Sequence, residues 1–325
     1  MYQPILLRET SRLRVNICAS RGQGPGLINW LLAMPYVPDD LRVKPHTKVR
    51  LRDWDTTWAG KELRHLRGDQ LKQEAQEILA RNLQRLSAAQ ELLWASDKYA
   101  LLIVLQGMDA AGKDGLIKHV MSGVNPQGCE VTSFKRPTDE DLQHSFLWRY
   151  MRHLPARGRI GIFNRSYYED VLVVRVHPEW VEKQHLKPSR SLWRERYDDI
   201  NNIERHLTQN RTVIRKFFLH VSRKEQKRRL LARLDDPQKH WKFSESDLAE
   251  RAYWKDYVEA YEDALSATSS KQAPWYIIPA DHKSVARALV SEILASSING
   301  LDLEFPKPTP AQLAAIRQAK KLLES

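Results

Sequence analysis

The sequence predicts an α/β fold: a parallel sheet covered by helices on both faces, with a phosphate-binding loop at its rim. Two observations carry that prediction. Five short apolar or β-branched runs recur along the chain, and most are separated by stretches rich in Arg, Glu, Leu and Lys that suit helices. The first run, LLIVLQ at residues 101–106, passes directly into GMDAAGKDG, where glycines and a lysine fall at phosphate-loop spacing.

Taken in order, residues 1 to about 45 hold no period. SRGQGPG and the prolines Pro35, Pro38 and Pro45 interrupt it, so this part reads as an irregular extension. From Arg67 to Ser96 there is no proline, and Leu71, Ile78, Leu79, Leu83, Leu86, Leu92 and Leu93 gather near one side of a helix. This long amphipathic helix covers a sheet or a partner subunit. The strands follow at 101–106, 129–134 (CEVTSF), 159–163 (RIGIF), 212–221 (TVIRKFFLHV) and 274–279 (PWYIIP). Residues 222–263 are long, strongly charged and helix-compatible, with a break near Pro237, and read as a subdomain or a cover. TPAQLAAIRQAKKLLES, at the C-terminus, reads as a basic amphipathic helix. The expected organisation is an extension (1–45), a main domain (46–305) with a lid at about 222–250, and a C-terminal helix (306–325).

The 325 residues are ample for a sizeable core, and 42% hydrophobic with 28% charged is the balance of a globular protein. Two cysteines, Cys18 and Cys129, make neither a disulfide framework nor a cysteine-rich zinc site, so a reducing compartment is expected. No stretch approaches the roughly 20 apolar residues of a membrane span, and MYQPILLRETSRLR is a poor secretory signal. The cytoplasm is the expected location. Lys and Arg number 52 against 40 Asp and Glu, a net charge of +12. Such a surplus points to nucleic acid, an anionic membrane surface or phosphate-rich small molecules, or else to a generally basic surface.

The sharpest motif is Gly107-x4-Gly112-Lys113, placed between a buried strand and a helix-compatible stretch. Its glycines let backbone N–H groups turn inward, the next helix adds its positive end, and Lys113 reaches the outer phosphates. A carboxylate beside a phosphate is repulsive, yet the loop carries Asp109 and Asp114. Asp114 stands where the usual loop has the Ser or Thr that holds magnesium. A magnesium ion between carboxylates and phosphates resolves the conflict, because Mg²⁺ takes one or two carboxylates plus phosphate oxygens and water. Asp109 is therefore expected as a metal ligand. Asp114 is either a ligand or a helix cap.

GMDAAGKDGLIKHVMSGVNPQG, IFNRSYYEDVLVVRVHPEW and KFFLHVSRKEQKRRLLARLDDPQKHWKF, in that order, resemble the polyphosphate kinase 2 family. WDTTWAGK and APWYIIPADHK extend the likeness over about 50–305, and the NRS-x-YEDV form resembles the class that accepts both nucleoside mono- and diphosphates. The resemblance implies a three-layer α/β/α P-loop kinase fold with a helical lid. It also implies Mg²⁺-dependent (or Mn²⁺-dependent) transfer of the terminal phosphate of polyphosphate to ADP, AMP or guanine nucleotides, in a homo-oligomer without membrane or specific nucleic-acid partners.

On this reading Asp109, Lys113 and Arg165 are catalytic. The phosphate cradle comprises Gly107, Ala110, Ala111, Gly112, Lys113, Asp114 and Gly115. Arg165 stands at a strand end, where ligands bind in α/β sheets, and clamps a phosphate. Asn164 sits where the family often has an aspartate, which moves the metal burden to Asp109 and Asp170. Glu169 lies by the acceptor nucleotide. Tyr167 departs from the histidine expected there. Lys216 matches a family lysine near the active rim. Arg229 and Arg233, four apart on one helix face, close over phosphates as part of the lid, with Lys242 a weaker candidate. Asp281 and Lys283, in PADHK after the last strand, are expected base contacts. The aromatic residues Trp241, Tyr253, Trp254, Tyr257 and Tyr261 are expected to pack. Two rivals remain: an ATP-dependent nucleotide kinase, and a basic nucleic-acid-binding protein with a vestigial loop.

Overall fold

Five strands form: β1 (Ala100–Gly107), β2 (Cys129–Ser133), β3 (Ile160–Asn164), β4 (Thr212–His220) and β5 (Trp275–Pro279). Every residue of β1 is buried, as an unbroken apolar run requires when both faces of a strand are covered. The computed structural model describes residues 39–325 apart from Glu62 and Phe243. Residues 1–38 of the expected extension and the side chain of Lys242 lie outside the described residues.

All pairings are parallel, in the order β2-β3-β1-β4-β5. The chain leaves β1 for the edge at β2, returns to β3, then crosses to β4 on the far side of β1. Connections therefore diverge beside β1, and the crevice this opens at the strands' carboxyl ends is where such sheets bind ligands.

Numbering the helices of eight or more residues, α1 (Gly68–Ser96), α2 (Lys113–Val120) and α6 (Lys283–Asn299) cover one face. The other is covered by α3 (Arg190–Gln209) and α5 (Trp254–Thr268). The result is the expected three-layer arrangement. α1 buries Leu71, Leu79, Leu86 and Leu93 at helical spacing. It lies against α6, where Asn82 Nδ2 donates to Ser291 Oγ at 3.1 Å and Arg85 pairs with Glu292 at 2.7 Å. The stretch before α1 is tied to the edge strand: the Val43 amide donates to the Trp275 carbonyl at 2.9 Å.

Between β4 and α5 lies a helical insertion. It begins with α4 (Arg223–Leu234), whose N-cap Ser222 accepts the Glu225 amide, and it breaks at Pro237 into a short 3₁₀ turn. A further short helix spans Glu245–Glu250. α7 (Pro310–Glu324) opens with a Thr309–Gln312 capping box and is exposed throughout. All these elements belong to one compact unit, Tyr36–Ser325. Among the described residues no helix is long and apolar enough to cross a membrane.

Candidate active site

Gly107 ends β1 at φ +154°, and a Cβ there would lie 2.9 Å from the carbonyl oxygen of Leu219 on β4. Only glycine lets the chain leave the sheet so close to its neighbour. Ala110 and Gly112 follow at φ +59° and +108°. A loop curled this way turns N–H groups inward toward an anion and carbonyls outward, and outward carbonyls need donors.

Those donors come from two sources. Lys113 Nζ donates to the carbonyls of Gly107 at 2.7 Å and Met108 at 3.4 Å. From α4, Gln226 Nε2 donates to Asp109 O at 3.0 Å, and Arg229 Nη1 donates to Ala110 O at 3.1 Å and Ala111 O at 2.7 Å. Five successive carbonyls are thus satisfied, and the insertion fixes the loop's shape from behind. Burial is the main cause lowering the Lys113 pKa. Arg165 adds to it, and Asp109, Glu169 and Asp114 oppose it.

Asn164 ends β3 in register with Leu105 of β1, which sets Asn164 and Arg165 beside the loop. Arg165 stands at φ +65°, an unfavourable conformation for a side-chain-bearing residue. Its guanidinium donates to Asp109 Oδ1 at 3.0 Å and pairs with Glu169 Oε2 at 3.4 Å. Glu169 is the main cause holding the arginine's pKa above its usual value, Asp109 contributes, and burial opposes both. Asn164 Nδ2 donates to Asp114 Oδ1 at 2.9 Å and Ser133 Oγ at 3.4 Å. The other amide atom, Asn164 Oδ1, is buried without a hydrogen-bond partner.

A buried oxygen with no donor, next to a carboxylate at the phosphate loop, fits a hard cation that takes oxygen ligands. Asp109, Asp114 and Asn164 are the residues that would hold one. Among the described residues no group of three or more His, Cys, Asp or Glu is arranged to hold a metal unaided.

The loop opens onto a cleft of about 490 Å³. Asp109, Arg165 and Glu169 line it together with Gln226, Asp247 and Arg251 from the insertion. Trp254, Tyr257 and Tyr261 also face it, so three aromatics expected only to pack contribute to its surface. Trp241, by contrast, is 78% exposed.

Several expected site residues stand elsewhere. Lys216 is fully buried, in register with Val104 and Trp275, four residues short of its strand's carboxyl end. At about 3.3 Å per residue it lies roughly 13 Å below the rim. Its ammonium donates to Glu204 Oε2 at 2.5 Å, Thr268 O at 2.7 Å and the Tyr168 hydroxyl at 2.9 Å. All three N–H bonds are used, so Lys216 does not bind phosphate. The same glutamate explains Tyr167, whose hydroxyl donates to Glu204 Oε1 at 3.0 Å within the core.

Arg229 is 7% exposed and turned inward. Besides capping the loop it pairs with Glu225 at 2.7 Å and donates to the carbonyls of Ala280 and Asp281. It supports the phosphate loop from outside and does not close over it. Arg233 donates to Asp247 Oδ2 at 2.7 Å, which places it at the cleft through that carboxylate.

Asp170 lies in the cleft wall, where its carboxylate accepts from the Tyr150 hydroxyl at 3.1 Å and Gln184 at 3.4 Å, with Arg196 3.8 Å away. Burial pushes its pKa up to about 6 against the pull of Arg196. These bonds make it an anchor of the cleft wall. Asp281 accepts from the Thr56 hydroxyl at 2.9 Å and the Ser222 amide at 2.8 Å, clamping WDTTW to the start of α4. Neither Asp281 nor Lys283 lines the cleft, which removes both as base contacts there.

The sequence reasoning missed the cleft's other cations. Lys135 and Arg136 follow β2, Arg149 lies in a short helical turn, and Lys183 follows the HPEW stretch. Lys183 Nζ sits 4.1 Å from the Trp180 ring centroid and the Arg136 guanidinium 5.8 Å from it. The basic pair after a strand end was a usable signal. Arg149 and Lys183 carried none.

With this geometry in view, the comparisons are specific. Residues 69–306 match the family model described as Polyphosphate kinase 2. An ADP-polyphosphate phosphotransferase of Rhodopseudomonas palustris is 52% identical over 256 residues, 78% of this chain and 89% of the relative. An AMP/ADP-polyphosphate phosphotransferase of Meiothermus ruber is 48% identical over 240 residues, 74% of this chain and 87% of the relative. The crystal structure of Polyphosphate Kinase 2 from Arthrobacter aurescens superposes with a TM-score of 0.77 at 41% identity, over 86% of this chain and 96% of that one. A phosphate loop on a parallel sheet, an arginine beside it at a neighbouring strand end, and these matches lead to one assignment: the chain belongs to the polyphosphate kinase 2 family.

Proposed function

We propose that the protein transfers the terminal phosphoryl group of inorganic polyphosphate to nucleotides, turning ADP into ATP, and AMP into ADP as well. The observation that carries this is the convergence of the loop, Arg165 and the Asp109 carboxylate at one cleft. An oxygen of the acceptor's terminal phosphate, already ionised near neutral pH, attacks the terminal phosphorus. The bond to the next phosphate breaks, and the chain leaves one unit shorter. The protein's task is to position two anions and neutralise shifting charge. Loop N–H groups and Lys113 hold the phosphate, and Arg165 offsets the charge on the oxygens in transfer. A divalent ion, Mg²⁺ in this reading, would be held by Asp109, Asp114 and Asn164 and would supply positive charge against the phosphates. The acceptor occupies the cleft beside Glu169. The insertion over the cleft acts as the lid and keeps out water, which otherwise takes the phosphoryl group. A homo-oligomer remains part of the proposal, checked by light scattering.

The test is product formation by purified protein with Mg²⁺ and long-chain polyphosphate, using AMP or ADP as acceptor, with ATP plus AMP in parallel. ATP from ADP and ADP from AMP are the expected products. Product from ADP alone removes the dual-acceptor class and keeps the reaction. Transfer from ATP with none from polyphosphate overturns the proposal in favour of an ordinary nucleotide kinase.

A further inference from the structure

His177 opens the HPEW stretch and stands between two one-turn helices, Val173–Val176 and Glu179–Glu182, in the cleft wall beyond Asp170. Its amide donates to the Val173 carbonyl at 2.9 Å, which fixes the backbone there. A carboxylate faces each ring nitrogen. Nδ1 is 3.5 Å from Glu179 Oε1 on the same wall, and Nε2 is 2.8 Å from Glu250 Oε2. Glu250 belongs to the insertion, at the end of the short helix Glu245–Glu250. The imidazole therefore joins wall to insertion.

That short helix has no buried residue, so little apolar packing holds it and its position depends on polar contacts. Two more groups support the joint. The Tyr257 hydroxyl of α5 donates to the same Glu250 Oε2 at 2.7 Å, and the Tyr253 ring packs edge-on against the imidazole with centroids 5.0 Å apart. The next residue carries the connection onward. Arg251 donates to Gln226 Oε1 at 2.5 Å and to the Arg223 carbonyl at 3.1 Å. The amide nitrogen of that glutamine is the donor to Asp109 O. A line of polar contacts thus runs from the wall through the insertion to the phosphate loop, and it crosses from wall to insertion at His177.

We propose that His177 is a positioning residue for phosphoryl transfer: it catches the insertion against the cleft wall and, through Arg251 and Gln226, steadies the phosphate loop. The catch rests on the polyphosphate reading above and names the group that holds the insertion in place. Without it the short helix leaves the wall and water reaches the reacting phosphate. A water oxygen then bonds to the terminal phosphorus and the bridge to the next phosphate breaks. Orthophosphate and a proton are released, and no nucleotide is phosphorylated in that turnover.

The experiment compares wild type with His177→Ala, His177→Gln, Glu250→Ala and the His177→Ala/Glu250→Ala double variant, well below their unfolding midpoints. It reads the rate of tryptic cleavage within the insertion, kcat and KM with ADP and long-chain polyphosphate, and the orthophosphate released per nucleotide phosphorylated. His177→Ala should speed cleavage, lower kcat and raise the orthophosphate ratio, each roughly tenfold, the worth of one hydrogen bond to a charged group. KM for polyphosphate should move less than about threefold, because the loop and Lys113 remain. Glutamine still offers an N–H to Glu250, so His177→Gln should recover most of each loss. The double variant should be no worse than Glu250→Ala alone, since both lack the same bond. Variants that unfold at lower temperature but keep the wild-type cleavage rate and orthophosphate ratio would make the contact merely structural and overturn the proposal. Additive effects of the two alanines would overturn it as well. If wild type makes no product from any polyphosphate, the functional reading itself has failed, and the cleavage rates alone decide the catch.

Discussion

Replacing Lys216 with methionine separates a core residue from a phosphate ligand. The ammonium is fully buried and gives all its hydrogens to Glu204, Tyr168 and Thr268. Methionine fills similar volume but leaves the Glu204 carboxylate 2% exposed with no cation. Breaking one partner of a buried pair costs about 3–5 kcal/mol. For a unit this size each kcal/mol moves the midpoint by about 2–4 °C, so a fall of roughly 10 °C is expected. The double variant Lys216→Met/Glu204→Gln removes both charges. Its amide oxygen still accepts the hydroxyls of Tyr167 and Tyr168, which both now donate to Glu204 Oε1. It should recover most of the loss, because no charge is then left buried without a partner. The assay is thermal and urea unfolding of the three proteins, with KM for polyphosphate measured well below the lowered midpoint. A single variant as stable as wild type but with weakened polyphosphate binding would refute the reasoning and return Lys216 to the site.

Two other consequences are open to direct measurement. Arg165→Lys keeps the charge but loses the fork that reaches Asp109 and Glu169 together, so kcat should fall roughly 100-fold with an unchanged fold; a change under about threefold removes Arg165 from the chemistry. Asp170, with a folded pKa of about 6, binds its proton more tightly than the unfolded chain's aspartate near 3.8. Its contribution is therefore unpenalised below about pH 4, and stability is lost as pH rises from about 4 to 6, by about 3 kcal/mol in all. Relative to Asp170→Asn, wild type should lose ground across that window and run parallel above it; parallel urea-unfolding curves throughout would sink the assignment.

What could be read in the sequence was whatever one stretch of chain decides by itself. LLIVLQ is too uniformly apolar for anything but a covered strand, and Gly107 and Gly112 stand where only glycine turns freely. What could not be read depended on partners far along the chain. Lys216 in RKFFLH gives the same local signal at a rim or in mid-sheet. The register with Val104 and Trp275 and the approach of Glu204 from α3 decide the matter. Arg229 shows the same gap: a spacing of four puts it on one face with Arg233, but the spacing does not say which body covers that face. The loop's outward carbonyls supply the answer, because their geometry demands donors and α4 provides them.

The two aspartates of the phosphate loop bring both kinds of information together. Repulsion between carboxylate and phosphate is evident from GMDAAGKDG alone, and a bound cation is the simplest remedy. The fold supplies partners that the motif does not contain: Arg165 for Asp109 and Asn164 for Asp114, delivered as consecutive residues by the register of β3 on β1. Asp109 therefore has a protein cation beside it, which orients the Arg165 fork. That makes Asp109 an organiser of arginine as well as the proposed ligand for metal. Its replacement by asparagine would weaken both at once, a coupling no reading of the loop alone can expose.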